Sequence, residues 1–387
     1  MKKRVVIAMS GGVDSSVAAA LLKSQGYDCI GVYLNFWSDP VVDARCGRTS
    51  QNKCCTKESL DDAREVAGRL NIPLYIFNVE EKFKQEVVDY FLKIYAAGKT
   101  PNPCVRCNRE IKFGQLLEYA VSLGADYLAT GHFARIKKKK NGNCELFEAK
   151  DKEKDQSYFL YQLTSEKLRR ILFPIGDFKK SEVYRLAKKF GLKRVFEKKE
   201  SQNVCFFAEK TPEHFLKRHL PEKFFKPGPI VTINGKRIGV HKGLPLYTIG
   251  QRKGLHIGGI SGEIKNGGWY VICIDRKSNS LVVGRKKDLI KKIFKCKEIT
   301  FISGKIPTGK IAVDVKIRHR APKVPSKLEI KNKKGVIISS ESFIGVSPGQ
   351  SAVFYKGEKV IGGGVIEKSK FQNPNVKSTK KSQRGKT

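Results

Sequence analysis

Residues 4–132 alternate short apolar runs with stretches of helical period. RVVIAM (4–9) is an apolar run ending at Gly11 and Gly12. VAAALLKSQG (17–26) follows with helical spacing and has Gly26 where a terminal glycine belongs. CIGVYLNF (29–36) predicts a second strand. ESLDDAREVAGRL (58–70) predicts an amphipathic helix stopped by Asn71, Ile72 and Pro73, and LYIFNV (74–79) a third strand. EEKFKQEVVDYFLKIYAAG (80–98) and FGQLLEYAVSLGA (113–125) predict helices, and DYLATGH (126–132) one more strand. This rhythm predicts an α/β fold, a doubly wound parallel sheet with helices on both faces and ligands beyond the carboxyl ends of the strands.

The pattern then changes. KKKKNGNC (137–144) carries a turn signal between β-like runs, predicting a hairpin, and residues 157–200 read as helical. From Pro227 onward, short β-rich runs alternate with glycine turns, predicting one or two small barrel or sandwich modules. The expected division is a catalytic domain over 1–207, a small β-rich domain over 208–280 and a C-terminal β-barrel over 281–367. A disordered basic tail is expected over 368–387, which holds seven Lys or Arg and no acid. No internal repeat is visible.

Charge adds a partner class. The net charge is +39, from 76 Lys and Arg against 37 Asp and Glu. Such an excess favours a polyanion, because each neutralised phosphate releases counterions, although a lysine-rich proteome gives the same bias. No apolar run approaches the ~18–20 residues of a membrane helix. The N-terminal VVIAM is too short for the apolar region of a signal peptide. The expectation is a soluble cytoplasmic protein with no membrane association.

Positions 10–16 read SGGVDSS between a strand and a helix. Gly11 and Gly12 let backbone amides approach an anion, Ser10, Ser15 and Ser16 add hydroxyls, and the helix N-terminus adds a positive dipole end. The Walker pattern with its lysine is absent, so no lysine is expected at the outer phosphates. Asp14 supplies a carboxylate that could hold magnesium. The string resembles the pyrophosphatase loop of the PP-loop ATPases, which adenylate an oxygen and release pyrophosphate.

The nucleophile then decides the chemistry. Of the ten cysteines, Cys104 and Cys107 form a C-x-x-C in TPNPCVRCN (100–108), read as an extended loop held by two prolines. Arg106 and Arg109 flank the thiols and would favour thiolate. Cys205 stands alone in SQNVCFF. Cys46, Cys54 and Cys55 read as loop thiols without a tetrahedral ligand set, and Cys29, Cys144, Cys273 and Cys296 as core or half-buried residues.

These segments, with MSGGVDSSV, IKFG, LGADYLATGH, KDQSYFLY, LFPIG, GQRKGLHIGG, WYV and SPGQSAVFY, resemble the bacterial tRNA-specific 2-thiouridylases, the MnmA family, over almost the whole chain. The resemblance implies ATP-dependent 2-thiolation of the tRNA wobble uridine. It assigns Cys107 as nucleophile and Cys205 as carrier of a persulfide received from a sulfur-relay protein or cysteine desulfurase, the two ending as a disulfide. It assigns ATP and Mg2+ to Ala8, Met9, Ser10, Gly11, Gly12, Val13, Asp14, Ser15, Leu34 and Gly131. Asn102, Pro103 and Cys104 fall to the target base. His132, Lys154, Asp155, Gln156, Arg318, His319 and Gln350 fall to tRNA. A monomer bound to one tRNA is the default.

Many relatives carry aspartate at the position of Cys104. Cys104, Cys107 and Cys205 would also suit an iron–sulfur cluster with one open iron, so both sulfur chemistries stay open. Two other classes are compatible with the loop alone. One is a PP-loop ligase acting on a small molecule, which needs neither cysteines nor a basic surface. The other is a non-catalytic RNA-binding protein, against which Asp14 and both cysteines argue.

Overall fold

Val5, Val6 and Ile7 are all fully buried in β1 (Arg4–Ala8), as expected of a strand covered on both faces. In this computed structural model, which describes residues 2–41, 56–192, 204–207, 209, 211–255, 257, 268–331 and 334–368, β1 is the centre of a parallel sheet. Its partners are β2 (Asp28–Asn35) and β4 (Tyr127–Ala129). β3 (Leu74–Asn78) and β7 (Ile171–Leu172) take the edges, giving the order β3-β2-β1-β4-β7. The chain leaves β1 towards β2 on one side and returns to β4 on the other, so the crevice between the carboxyl ends of β1 and β4 is the topological switch point. The predicted doubly wound fold is therefore the observed one. α1 (Val13–Ser24) rises directly from the loop after β1 and ends at Gly26, whose φ of 86° only glycine adopts easily.

Two predicted segments differ. The cysteine segment is not an extended loop: residues 103–122 are continuously helical, α over Pro103–Cys107, π over Asn108–Gln115 and α again over Leu116–Ser122. Pro103 stands in the first helical turn, where a missing N–H costs nothing and the fixed φ already suits a helix. Residues 157–192 are only partly helical, at Ser157–Leu160, Ser165–Leu168 and Lys180–Lys189. The apolar pair Ile171–Leu172 instead extends the sheet beside β4, and Pro174 follows at once. Residues 193–200 lie outside the described residues, as do Cys46, Cys54, Cys55 and the tail beyond Lys368.

The β-rich half forms two modules. β8 (Gly228–Thr232), β9 (Arg237–His241), β10 (Tyr270–Asp275) and β11 (Ser280–Gly284) make one sheet around Ile230, Val271, Leu281 and Val283. β12 (Ile290–Phe301), β13 (Lys310–Lys316), β14 (Val324–Lys331), β15 (Lys334–Ile344), β16 (Ser351–Lys356) and β17 (Lys359–Ile366) close into a barrel through the β12–β17 pairing. The predicted hairpin, β5 (Ala134–Lys138) and β6 (Cys144–Glu148), forms and then joins that barrel: Phe147 and Leu146 of β6 pair with Lys359 and Val360 of β17. Arg135 and Lys152 hold Glu358 at 2.6 Å each across the same seam. Among the described residues no helix is long and apolar enough to cross a membrane.

Candidate active site

The loop between β1 and α1 is shaped from within. Ser15 Oγ donates to Gly12 O at 3.0 Å and Ser16 Oγ to the same carbonyl at 2.9 Å. The backbone N–H of Ser10 donates to Ser15 Oγ at 3.2 Å. The two serines thus fix the turn, a different use from the anion contacts expected of their hydroxyls. Gly12 caps α1 without a side-chain hydrogen bond, which leaves the first-turn amides as a ready anion site. Gly131 closes the crevice from β4: a Cβ there would lie 2.6 Å from the Ser15 nitrogen, so only glycine lets the strand end meet the helix start.

A lysine does come to this loop, although not from the Walker position. Lys180, at the start of the Lys180–Lys189 helix, places Nζ 2.6 Å from Asp14 Oδ1 although the two are 166 positions apart. Its ammonium also sits over the Phe133 and Tyr184 rings at 5.5 and 5.0 Å. Nothing in the local sequence around Lys180 marks it; only the fold brings it to the phosphate loop.

A cavity of about 380 Å³ opens beside the loop. Ala8, Met9, Ser10, Asp14 and Ser15 line one wall, Leu34 and Phe36 a second, and Gly131, His132 and Gln156 a third. The fourth wall carries Pro103, Cys104, Cys107, Asn108 and Lys112 from the 103–122 helix, with Phe159 and Val204–Phe206 beside them. Cys104, Cys107 and Cys205 thus line the same cavity as the phosphate loop. Cys104 is exposed, Cys107 buried and Cys205 half-buried. Cys205 is anchored by its neighbours Phe206 and Phe207, which pack into an aromatic cluster with Phe91 and Phe215. Arg106 pairs with Glu86 and Glu110, and Arg109 with Glu110, so carboxylates offset the charge expected to favour thiolate. Among the described residues no group of three or more His, Cys, Asp or Glu side chains is placed to hold a metal ion. Cys29, Cys144, Cys273 and Cys296 are buried, as predicted.

The residues expected to contact RNA divide in two. Several are bound into the protein. The Asp155 carboxylate, buried, accepts from the Ala149 and Ser157 amides and the Ser157 hydroxyl; burial pushes its carboxyl up against the opposing effect of those bonds. Gln156 exchanges two hydrogen bonds with the Phe133 backbone. His319 Nε2 donates to Asp155 O at 2.6 Å. His132 is buried between Phe113 and Phe173, with Nδ1 2.7 Å from Thr130 Oγ1. Burial, with the nearby Lys112 charge, holds its pKa well below the ordinary histidine value, so the ring is neutral. Gln350 Nε2 donates to Pro101 O at 2.7 Å, and Asn102 Nδ2 to Ser351 Oγ at 3.4 Å. These two clasp the barrel to the start of the cysteine helix. Lys154 and Arg318 belong to the second class. The Lys154 amide caps the Asp151 turn, and Arg318 reaches Ile344 O at 2.6 Å from an exposed position.

Comparison with known proteins places the chain in a family by its sequence. Residues 3–209 match the tRNA methyl transferase HUP domain, residues 213–285 the tRNA methyl transferase PRC-barrel domain and residues 291–366 the aminomethyltransferase beta-barrel domain. The tRNA-specific 2-thiouridylase MnmA of Clostridium perfringens is 43% identical over 370 residues, covering 95% of this chain and 99% of that protein. The same-named protein of Carboxydothermus hydrogenoformans is 42% identical over 369 residues, covering 95% and 98%. Among solved structures, a 4-thiouridine synthetase–RNA complex with bound ATP is similar at a TM-score of 0.33, with 19% identity over 57% of this chain and 51% of that one. By sequence, domain content and near-complete mutual coverage, the chain belongs to the MnmA family of tRNA-specific 2-thiouridylases.

Proposed function

We propose that the protein thiolates carbon 2 of the wobble uridine of tRNA at the expense of ATP. One observation carries the reading: the phosphate loop, Cys107 and Cys205 line a single cavity. The uracil carbon-2 oxygen attacks the α-phosphorus of ATP and pyrophosphate leaves. The amides at the start of α1 bind phosphate, and Lys180 brings a cation to the same loop. Asp14 is the only carboxylate among the described residues lining the cavity, so it fits a Mg2+ ion carried by the nucleotide, which would neutralise charge on the departing pyrophosphate.

A persulfide on Cys205 supplies sulfur. Its terminal sulfur adds to carbon 2 and AMP departs with the oxygen. The Cys107 thiolate then attacks the Cys205 sulfur; the S–S bond to the nucleobase breaks, its electron pair forms the thiocarbonyl, and a Cys107–Cys205 disulfide remains for an external dithiol to reduce. The sulfur donor is a persulfide-bearing relay protein or cysteine desulfurase, and one protein molecule serves one tRNA. The persulfide route is preferred to an iron–sulfur cluster because no three-sided ligand group is present among the described residues.

Mass spectrometry of tRNA nucleosides after incubation with ATP, Mg2+ and a persulfide donor tests the reading. 2-Thiouridine is expected, and its absence would defeat the proposal. Activity of Cys104→Ser in colourless, iron-free protein is expected as well; loss of activity with loss of visible absorption would favour the cluster instead.

A further inference from the structure

The IKFG string has no role in the chemistry above, yet it builds part of the cavity wall. Residues Asn108–Gln115 are π-helical, and Cys107 is the residue that precedes them. In an α-helix, positions five apart lie ~140° apart around the axis. The i→i+5 bonding of a π-helix brings them nearly into line, and such segments recur at functional sites. Lys112 is therefore carried round towards the face of Cys107, and both line the cavity. Two neighbours accommodate this register. Gly114 lies so close to Arg109 O that a Cβ would sit 2.9 Å from it, and Lys167 Nζ donates to Phe113 O at 2.8 Å.

Lys112 is half-buried, and among the described residues no carboxylate pairs with it. Among the described residues, the only acid lining the cavity, Asp14, is held by Lys180. Lys112 lies on the phosphate side of the cysteines: its charge acts on His132, and the adjacent Gly131 packs against the Asp14–Ser15 backbone. A cation in a half-closed cavity with no counter-charge among the described residues is matched by an anionic ligand.

We propose that Lys112 is a catalytic residue of the adenylation step, its ammonium touching the non-bridging oxygens of the α-phosphoryl group as the bond to the uracil oxygen forms and the bond to pyrophosphate breaks. The inference rests on the thiolation reading and adds to it the group that stabilises phosphoryl transfer, the term on which such reactions chiefly depend.

The test uses the full chain with Lys112→Ala, Lys112→Met and Lys112→Arg, tRNA and Mg-ATP. Single-turnover, tRNA-dependent pyrophosphate release should fall about 100-fold or more in the Ala and Met variants, the loss typical of one removed transition-state donor, with partial recovery in Arg. The Met variant keeps the aliphatic stem and so the packing if Ala fails to fold. Melting temperature, tRNA binding and the pH midpoint of Cys107 alkylation should match the parent protein. Pyrophosphate release within threefold of the parent would overturn the proposal. So would a raised Cys107 midpoint with unchanged pyrophosphate release, since that assigns Lys112 to the thiolate. Absence of 2-thiouridine from the parent protein would defeat the thiolation reading, while the pyrophosphate comparison would still decide the role of Lys112.

Discussion

Gly11 and Gly12 are adjacent in sequence, yet the fold makes opposite demands on them. Gly11 has φ 69°, and a Cβ built on it would lie 2.1 Å from Ser59 O and 3.0 Å from Ser59 Cα. The obstacle is backbone in the first turn of the Lys57–Leu70 helix, so no side-chain rotation relieves it. Gly11→Ala therefore combines a left-handed alanine, ~1–2 kcal/mol, with displacement of that turn, for about 3 kcal/mol in all. Gly12 has φ −98°, and the nearest atom to its added Cβ would be Ser10 Oγ at 3.6 Å. Gly12→Ala should leave the folded chain almost unstrained. At ~2–4 °C per kcal/mol for a domain of this size, Gly11→Ala should melt on the order of 10 °C lower, while Gly12→Ala stays within ~2 °C of the parent. Both should weaken ATP binding, the first by deforming the loop and the second by placing a methyl where phosphate approaches the amides. Differential scanning calorimetry and ATP titration separate the effects. Equal melting temperatures for the two variants would refute the claim that the Ser59 carbonyl dictates glycine at position 11.

Three further outcomes are expected. Gln350→Ala removes the hydrogen bonds to Pro101 O and Thr100 O. It should cost only ~1–2 kcal/mol of stability but lower kcat/KM for tRNA on the order of tenfold, with ATP affinity intact, as measured by steady-state thiolation. Lys180→Met removes the cation 2.6 Å from Asp14. It should weaken ATP binding on the order of tenfold in a direct titration, while the alkylation rate of Cys107 stays unchanged. Asp39 is buried, which opposes its ionisation, but His219 and Arg218 outweigh that and hold its carboxyl below the ordinary aspartate value. Its contribution is thus complete above the unfolded pKa of ~3.9 and disappears as pH falls through the lower folded value. Asp39→Asn should melt below the parent at neutral pH and converge with it in acid, as followed by melting temperature against pH.

What could be read from sequence was what local periodicity encodes. Val5–Ile7, Val32 and Leu128 announced buried strands, and the Gly-Gly pair after β1 announced the turn into α1. What escaped depends on bonds that periodicity does not record. Paired prolines around Asn102 read as extended chain, yet Pro103 is a favourable helix start once its partner helix exists. An i→i+5 register leaves no apolar signature, because Ile111 and Phe113 fill the core in either helix type. Lys180 stands 166 residues from the carboxylate it meets, and the β5–β6 hairpin finds its third strand more than 200 residues later in the chain.

The barrel's place in the site follows from the same long-range bonds. Thr100 N donates to Pro348 O at 2.9 Å, Gly349 lies 2.7 Å by its would-be Cβ from Thr100 O, and Gln350 and Ser351 hold Pro101 and Asn102. Tyr158 then donates to Ser351 O at 2.9 Å, tying the segment after Gln156 to the same strand. The SPGQS and TPNP strings, 249 positions apart, thus form one joint whose far side is the helix bearing Cys104 and Cys107. If tRNA engages Arg318 as proposed, a load placed there would reach the cysteine helix through that joint. On the function proposed above, the barrel would set where Cys107 stands relative to the phosphate loop, and loosening Gln350 should therefore affect the chemistry before it affects the fold.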